Sequence, residues 1–142
     1  MTKKELSQLY WLNREIEEEK RKLRELEAAS TSGEAKITGL PHVSGAHDKI
    51  GDMAILIAEQ RDLIALKVRQ SVIEYNRLNR YIAGVEDAQM RMILSLRHVN
   101  GLSWQQVAFA IGETDEQYPR RKHNKFLQES KVDENDEQKV VD

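Results

Sequence analysis

From Thr2 to about Ala29 the chain has no glycine or proline, and Leu9, Leu12, Ile16, Leu23 and Leu26 recur at spacings of three, four and seven residues. Such spacing keeps apolar side chains on one stripe of a helix, as in heptad sequences. Glu19 stands where the stripe calls for an apolar residue, and the flanks Glu15, Glu17, Glu18, Lys20, Arg21, Lys22 and Arg24 are mixed in sign. The segment is expected to be one long amphipathic helix, roughly 40 Å at about 1.5 Å per residue.

Ser30 to His47 is rich in Ser, Thr and Gly, punctuated by Gly33, Gly39, Pro41 and Gly45, and is expected to be a flexible loop. Asp48 then suits the N-cap of a second long helix. Ile50, Ala54, Ile57, Arg61, Ile64, Val68, Ser71, Tyr75, Leu78 and Ile82 follow a four-three alternation, with a second stripe of Met53, Leu56, Leu63 and Leu66 beside the first half. The wider apolar half matches the first helix in length, which predicts an antiparallel hairpin. Tyr10 and Trp11 are read as hairpin packing, and the stripe can also drive a homodimer. Gly84 marks the exit, and Glu86 with Asp87 suits the first turn of the next helix.

A third helix is expected from Asp87 to Val99, with Met90, Ile93, Leu94 and Arg97 on one side and Asn100-Gly101 supplying the left-handed stop. Ser103 and Gln106 form a capping box for a short fourth helix ending at Ile111-Gly112. Pro119 to Gln128 reads as a fifth helix, and the residues beyond are expected to be disordered. The fold class is thus all-α. Residues 1–84 form a coiled-coil-like hairpin with a loop at about 30–47, residues 85–128 a helix-turn-helix unit, and residues 129–142 an acidic tail.

Composition narrows the chemistry. Only 39% of residues are apolar and 32% are charged, and cysteine is absent, which removes disulfides, thiolate metal sites and thiol nucleophiles. Neither a secretory signal nor a membrane span is visible, so a cytoplasmic protein is expected. No phosphate-binding glycine loop, distinctive carboxylate pair or nucleophile motif occurs, which argues against an enzyme. His98 and His123 lack the further ligands a metal needs, and His42 and His47 read as solvated loop residues; no cofactor is expected.

Net charge is −2, but it is unevenly spread. Residues 129–142 hold six acids and two lysines, a net −4, so the rest of the chain carries +2. Arg120, Arg121, Lys122 and Lys125 lie between Pro119 and Gln128 with no acid among them. By itself such a run is usually a solvated helix face. Placed after a glycine-centred turn that follows a short helix, it points instead to a helix that can enter the major groove of double-stranded DNA. There arginine reads guanine edges and lysine holds phosphates.

Residues 86 to 128, above all Arg91-Met92-Ile93-Leu94-Ser95-Leu96-Arg97 and Asn100-Gly101-Leu102-Ser103-Trp104-Gln105-Gln106-Val107-Ala108, resemble the fourth conserved region of bacterial sigma factors. Joined to a helical N-terminal part, the unit is similar to small sigma-like transcription activators of phages and prophages of Gram-positive bacteria. The resemblance implies contact with promoter DNA, docking on the flap of RNA polymerase in a bacterial host cell, and no catalysis. Arg120, Arg121 and Lys125 match DNA-facing positions, and Lys122 and Asn124 complete the candidate DNA-binding set. Leu102, Val107, Ala108 and Ile111 match packing positions, with Trp104 and Phe126 read as packing too.

Two local points separate the sequence from the sigma pattern. The turn is longer, and Lys122 occupies a slot where an apolar side chain is expected. Pro119 suits the first helical position with Tyr118 as cap, or else Asp115 caps and the proline falls inside the first turn. Two other readings remain: an adaptor that bridges RNA polymerase and another protein without touching DNA, and a DNA-packaging protein like the small terminase subunit.

Overall fold

The computed structural model describes residues 1–31 and 48–140, and every regular element among them is helical. In order these are α1 (Lys3–Leu6), α2 (Gln8–Thr31), α3 (Asp48–Ala83), α4 (Ala88–Leu94) running into a π-helical turn (Ser95–Val99), α5 (Trp104–Ala110) and α6 (Gln117–Val140). The expected loop at 30–47 begins later than its composition suggests, because Ser30 and Thr31 end α2; residues 32–47 lie outside the described residues. The chain divides into two compact units, Leu12–Ser71 and a second made of Met1–Trp11 with Val72–Asp142. This division differs from the expected boundary at residue 84, since it falls within α3 and gives the first residues of the chain to the C-terminal unit.

In the Leu12–Ser71 unit, contacts between α2 and α3 run in opposite chain directions. Ser71 Oγ donates to Asn13 Oδ1 at 2.8 Å, Lys67 pairs with Glu15 at 3.3 Å, Gln60 Nε2 donates to Glu19 Oε2 at 2.6 Å, and Arg61 pairs with Glu27 at 2.9 Å. Ile16 and Met53 are buried here, and so is Glu19, only 9% exposed. Its carboxylate also has Lys22 at 3.3 Å and Lys67 at 3.7 Å. The Gln60 amide and these two ammonium groups hold the Glu19 carboxyl below the usual carboxylate range.

The inward face of α3 is not the expected stripe. Met53, Ile57, Gln60, Ile64 and Lys67 are buried or half-buried, whereas Ala54, Arg61 and Val68 of the expected stripe are exposed. Leu56, Leu63 and Leu66 of the second expected stripe are exposed as well. A row chosen for apolarity alone misses Gln60 and Lys67, because what draws them inward is the need of a buried charge for hydrogen-bonding partners.

In the other unit, α1 and α2 are separate. Thr2 caps α1 through a capping box with Glu5, and Ser7, whose Oγ bonds the Lys4 carbonyl at 2.9 Å, interrupts the helix expected to run unbroken from Thr2. Leu6, Leu9, Leu78, Ile82, Val85, Met90, Ile93, Leu94, Val107 and Leu127 form one core. Trp11 is not hairpin packing: its ring lies exposed, edge-on to Tyr10 at 5.2 Å.

Local signals set the remaining ends. Asp87 caps α4 by accepting the Gln89 N–H at 3.0 Å. The third helix does not stay α-helical to Val99; from Ser95 it widens, with Asn100 N–H reaching the Ser95 carbonyl five residues back at 3.0 Å. Gly101, at φ +69°, then turns the chain, while Asn100 keeps a right-handed conformation. Ser103 and Gln106 make the capping box of α5. Its end is a Schellman turn, in which Glu113 N–H reaches the Ala108 carbonyl, Gly112 N–H the Phe109 carbonyl, and Gly112 sits at φ +80°.

Candidate nucleic-acid interface

Helix α6 starts two residues before Pro119. Asp115 Oδ1 accepts the Gln117 N–H at 2.9 Å, so the carboxylate closes the turn while Pro119 is the third helical residue. The first N–H groups of a helix have no intrahelical acceptor, so the missing donor of Pro119 costs nothing there. Its ring is fully buried, so the proline packs the helix start rather than straining it. At the other end the expected disorder after Gln128 is corrected: residues 129–140 continue α6, with Ser130 Oγ bonded to the Phe126 carbonyl at 2.9 Å and Glu134 reaching the Met1 amino group at 3.3 Å.

The packing positions expected from the sequence lie together in this unit. Val107 and Ala108 are buried, and Leu102, Trp104, Ile111 and Phe126 are partly buried against the core. Trp104 has a further partner that its spacing does not announce. The Arg97 guanidinium sits 4.6 Å from its ring centroid, and Arg97 Nη1 donates to the Leu102 carbonyl at 2.8 Å. One cation thereby clamps the turn between α4 and α5.

The five candidate DNA-contacting residues do not stay together. Pro119, His123 and Leu127 face the core, and Arg120, Arg121 and Lys125 are exposed on other sides of α6. Arg121 pairs with Asp115 at 3.0 Å and Lys125 reaches Glu129 at 3.8 Å, both across solvent-exposed side chains; Arg120 has no ion pair among the described residues. Lys122 differs from these three. It is half-buried and bound to α4, 2.7 Å from Asp87 Oδ2 and 2.5 Å from Gln89 Oε1, which also accepts from the Tyr118 hydroxyl at 3.0 Å. The lysine hydrogen bond is the main reason the Asp87 carboxyl lies below its usual range. Asn124 is half-buried as well, with Oδ1 3.1 Å from His123 Nδ1.

Two features are not foreseen from the sequence. His98 and His123 meet in the interior, Nε2 to Nε2 at 2.8 Å, although 25 residues separate them. Phe109 on α5 is 86% exposed, the most exposed large apolar side chain among the described residues. A spacing rule flags Phe109, since it falls off the face defined by Val107 and Ala108; nothing in the sequence pairs the histidines. No group of three or more potential metal ligands occurs among the described residues. No protein family, curated protein or solved structure matches this chain.

Proposed function

We propose that the chain is a DNA-binding transcription regulator of the sigma-region-four type, a phage or prophage activator that contacts promoter DNA through α6 and RNA polymerase through the rest of the molecule. One observation carries the reading: directly after the Gly112-centred turn, α6 buries Pro119, His123 and Leu127 and leaves Arg120, Arg121 and Lys125 exposed. Exposed guanidinium groups at the start of a helix that follows a short capped helix suit entry into a major groove. Arg121 exchanges an exposed carboxylate for a phosphate or base edge at little cost, because such surface pairs are weak. The exposed Phe109 supports a protein contact beside the DNA contact, and Leu56, Leu63 and Leu66 support a second copy packed on α3.

The test is titration of a promoter fragment across a salt series. Replacing Arg120 and Arg121 by Ala is expected to weaken binding and to lower the salt slope by roughly two, about one for each guanidinium that no longer neutralises a phosphate. Equal binding and equal slope refute the assignment.

The adaptor reading has one observation of its own. The acids Glu129, Asp133, Glu134, Asp136 and Glu137 continue on α6 beyond the basic residues, so a long DNA duplex along this helix meets like charge. Recovery of polymerase by a protein that binds no DNA at any salt selects that reading.

A further inference from the structure

The interior of the Met1–Trp11 and Val72–Asp142 unit contains a hydrogen bond that an apolar core does without. His98 is 7% exposed and His123 is 0% exposed, and their Nε2 atoms lie 2.8 Å apart. The first belongs to the π-helical turn Ser95–Val99 and the second to α6, so the pair links two segments far apart in the chain. Trp104 of α5 closes the site, its ring edge-on to His123 with centroids 5.0 Å apart. A π-turn is an uncommon piece of helix, frequent at functional sites, and here it holds one half of the pair.

The hydrogen-bond partners assign the tautomers. Asn124 Oδ1 can only accept, so His123 Nδ1 carries its proton and donates across 3.1 Å. A neutral imidazole protonated there has its lone pair on Nε2. That lone pair accepts from His98 Nε2–H. A further proton has two places to go. On His123 Nε2 it sets two N–H groups against each other at 2.8 Å, and the contact opens. On His98 Nδ1 it leaves a cation in the interior.

Among the described residues, the charges that act on the pair oppose that cation. The charged groups acting on the pair are Lys3 from α1 and Arg97 from the π-turn, both positive; α5 contributes the neutral indole of Trp104 and α6 the neutral amide of Asn124. No carboxylate of the described residues is among them.

We propose that the His98–His123 pair is a proton-operated latch, which when neutral fastens α6 to the π-turn and on taking up a proton from mildly acidic solvent releases α6 from its support. The latch stands on the buried contact and does not depend on what α6 binds. Burial pushes the His98 imidazole down to about 3, with His123, Arg97 and Lys3 adding to it, and burial lowers His123 as well. A group depressed in the docked state has its full stabilising effect above its ordinary value near 6.5 and loses it as pH falls from there toward the docked value. For His98 alone the released fraction rises about 25-fold between pH 7 and pH 5.

The test uses the full chain with Trp11→Phe, which leaves Trp104 as the one indole. The Trp104 emission and the hydrogen exchange of α6 amides, corrected for the intrinsic pH dependence of exchange, are followed from pH 7.5 to 4.5 at constant salt. Ring-nitrogen NMR of the two histidines is recorded alongside. The expected result is two neutral rings in the tautomers above at pH 6, and opening of α6 by tenfold or more by pH 5. A variant with His98→Leu and His123→Leu is expected to lose this response. Rings that titrate near 6.5 while α6 exchange stays unchanged, or a double variant with the same pH response, overturn the latch. If the double variant does not fold, the ring titration with α6 exchange decides alone.

Discussion

Lys122 Nζ lies 2.7 Å from the Asp87 carboxylate, so one of the four cations at the start of α6 faces α4 while Arg120, Arg121 and Lys125 face solvent. The run of positive charge is therefore two structures in one segment, an inward tie and an outward ridge.

The tie and the ridge answer to different measurements. Lys122→Met is expected to lower the thermal midpoint slightly, since the pair is partly solvent-exposed, and to leave the salt slope of DNA binding unchanged. Arg120→Ala should leave the midpoint unchanged and lower the slope by about one. The reverse pattern would place the DNA contact on the wrong side of α6.

Glu19 makes the α2–α3 pairing sensitive to acid. Its carboxyl is held below its ordinary value by Gln60, Lys22 and Lys67, so its stabilising effect is complete above about pH 4.5 and fades as pH falls through the carboxylate range. Urea melts of wild type and Glu19→Gln at pH 6 and pH 3.5 should show a pH difference in the first that shrinks in the second. Equal pH dependence removes Glu19 as the cause.

The core of the C-terminal unit is expected to be intolerant of voids. Leu94 is 0% exposed among Met90, Ile93 and Val107, and Leu94→Ala should cost about 3 kcal/mol by denaturant unfolding, from the forfeited transfer energy and the cavity left behind. A cost below about 1 kcal/mol means that the site collapses around the smaller side chain.

Gly112 isolates backbone strain from crowding. A Cβ added there meets nothing within 4 Å, yet φ is +80°. Gly112→Ala is thus expected to cost roughly 1–2 kcal/mol from the left-handed conformation alone. Gly112→Asn, which tolerates that region better, should cost less in the same chemical melt.

A second copy of the chain on α3 makes a prediction about mass. With Leu63→Ser and Leu66→Ser, both exposed positions, light scattering should report a lower mass than for the parent chain, with helix content unchanged. An unchanged mass removes this face from any self-association.

Much of the local architecture is legible in the residues. Ser103 and Gln106 announce the start of α5, Gly101 and Gly112 announce two turns, Asp87 announces α4, and Val107 with Ala108 marks an inward face. Each of these rests on interactions within a few residues, which spacing records. The end of α6 is not legible in this way. Acidic composition alone suggests a solvated coil there, whereas Ser130 bonds back to the Phe126 carbonyl, Glu134 reaches Met1, and Leu127 anchors the helix in the core just before this stretch.

What the chain determines by itself is the all-α class, the caps, and the cation-rich segment that follows a glycine turn. What only tertiary structure decides is which side of each helix turns inward. On α3 Gln60 and Lys67 meet Glu19, which lies forty-one residues from Gln60; on α6 Pro119, His123 and Leu127 turn to the core while Lys122 meets Asp87 and Gln89; and in the interior two distant histidines meet. A buried polar group must have a partner, and that partner is fixed by distance in space, which no periodicity along the chain encodes.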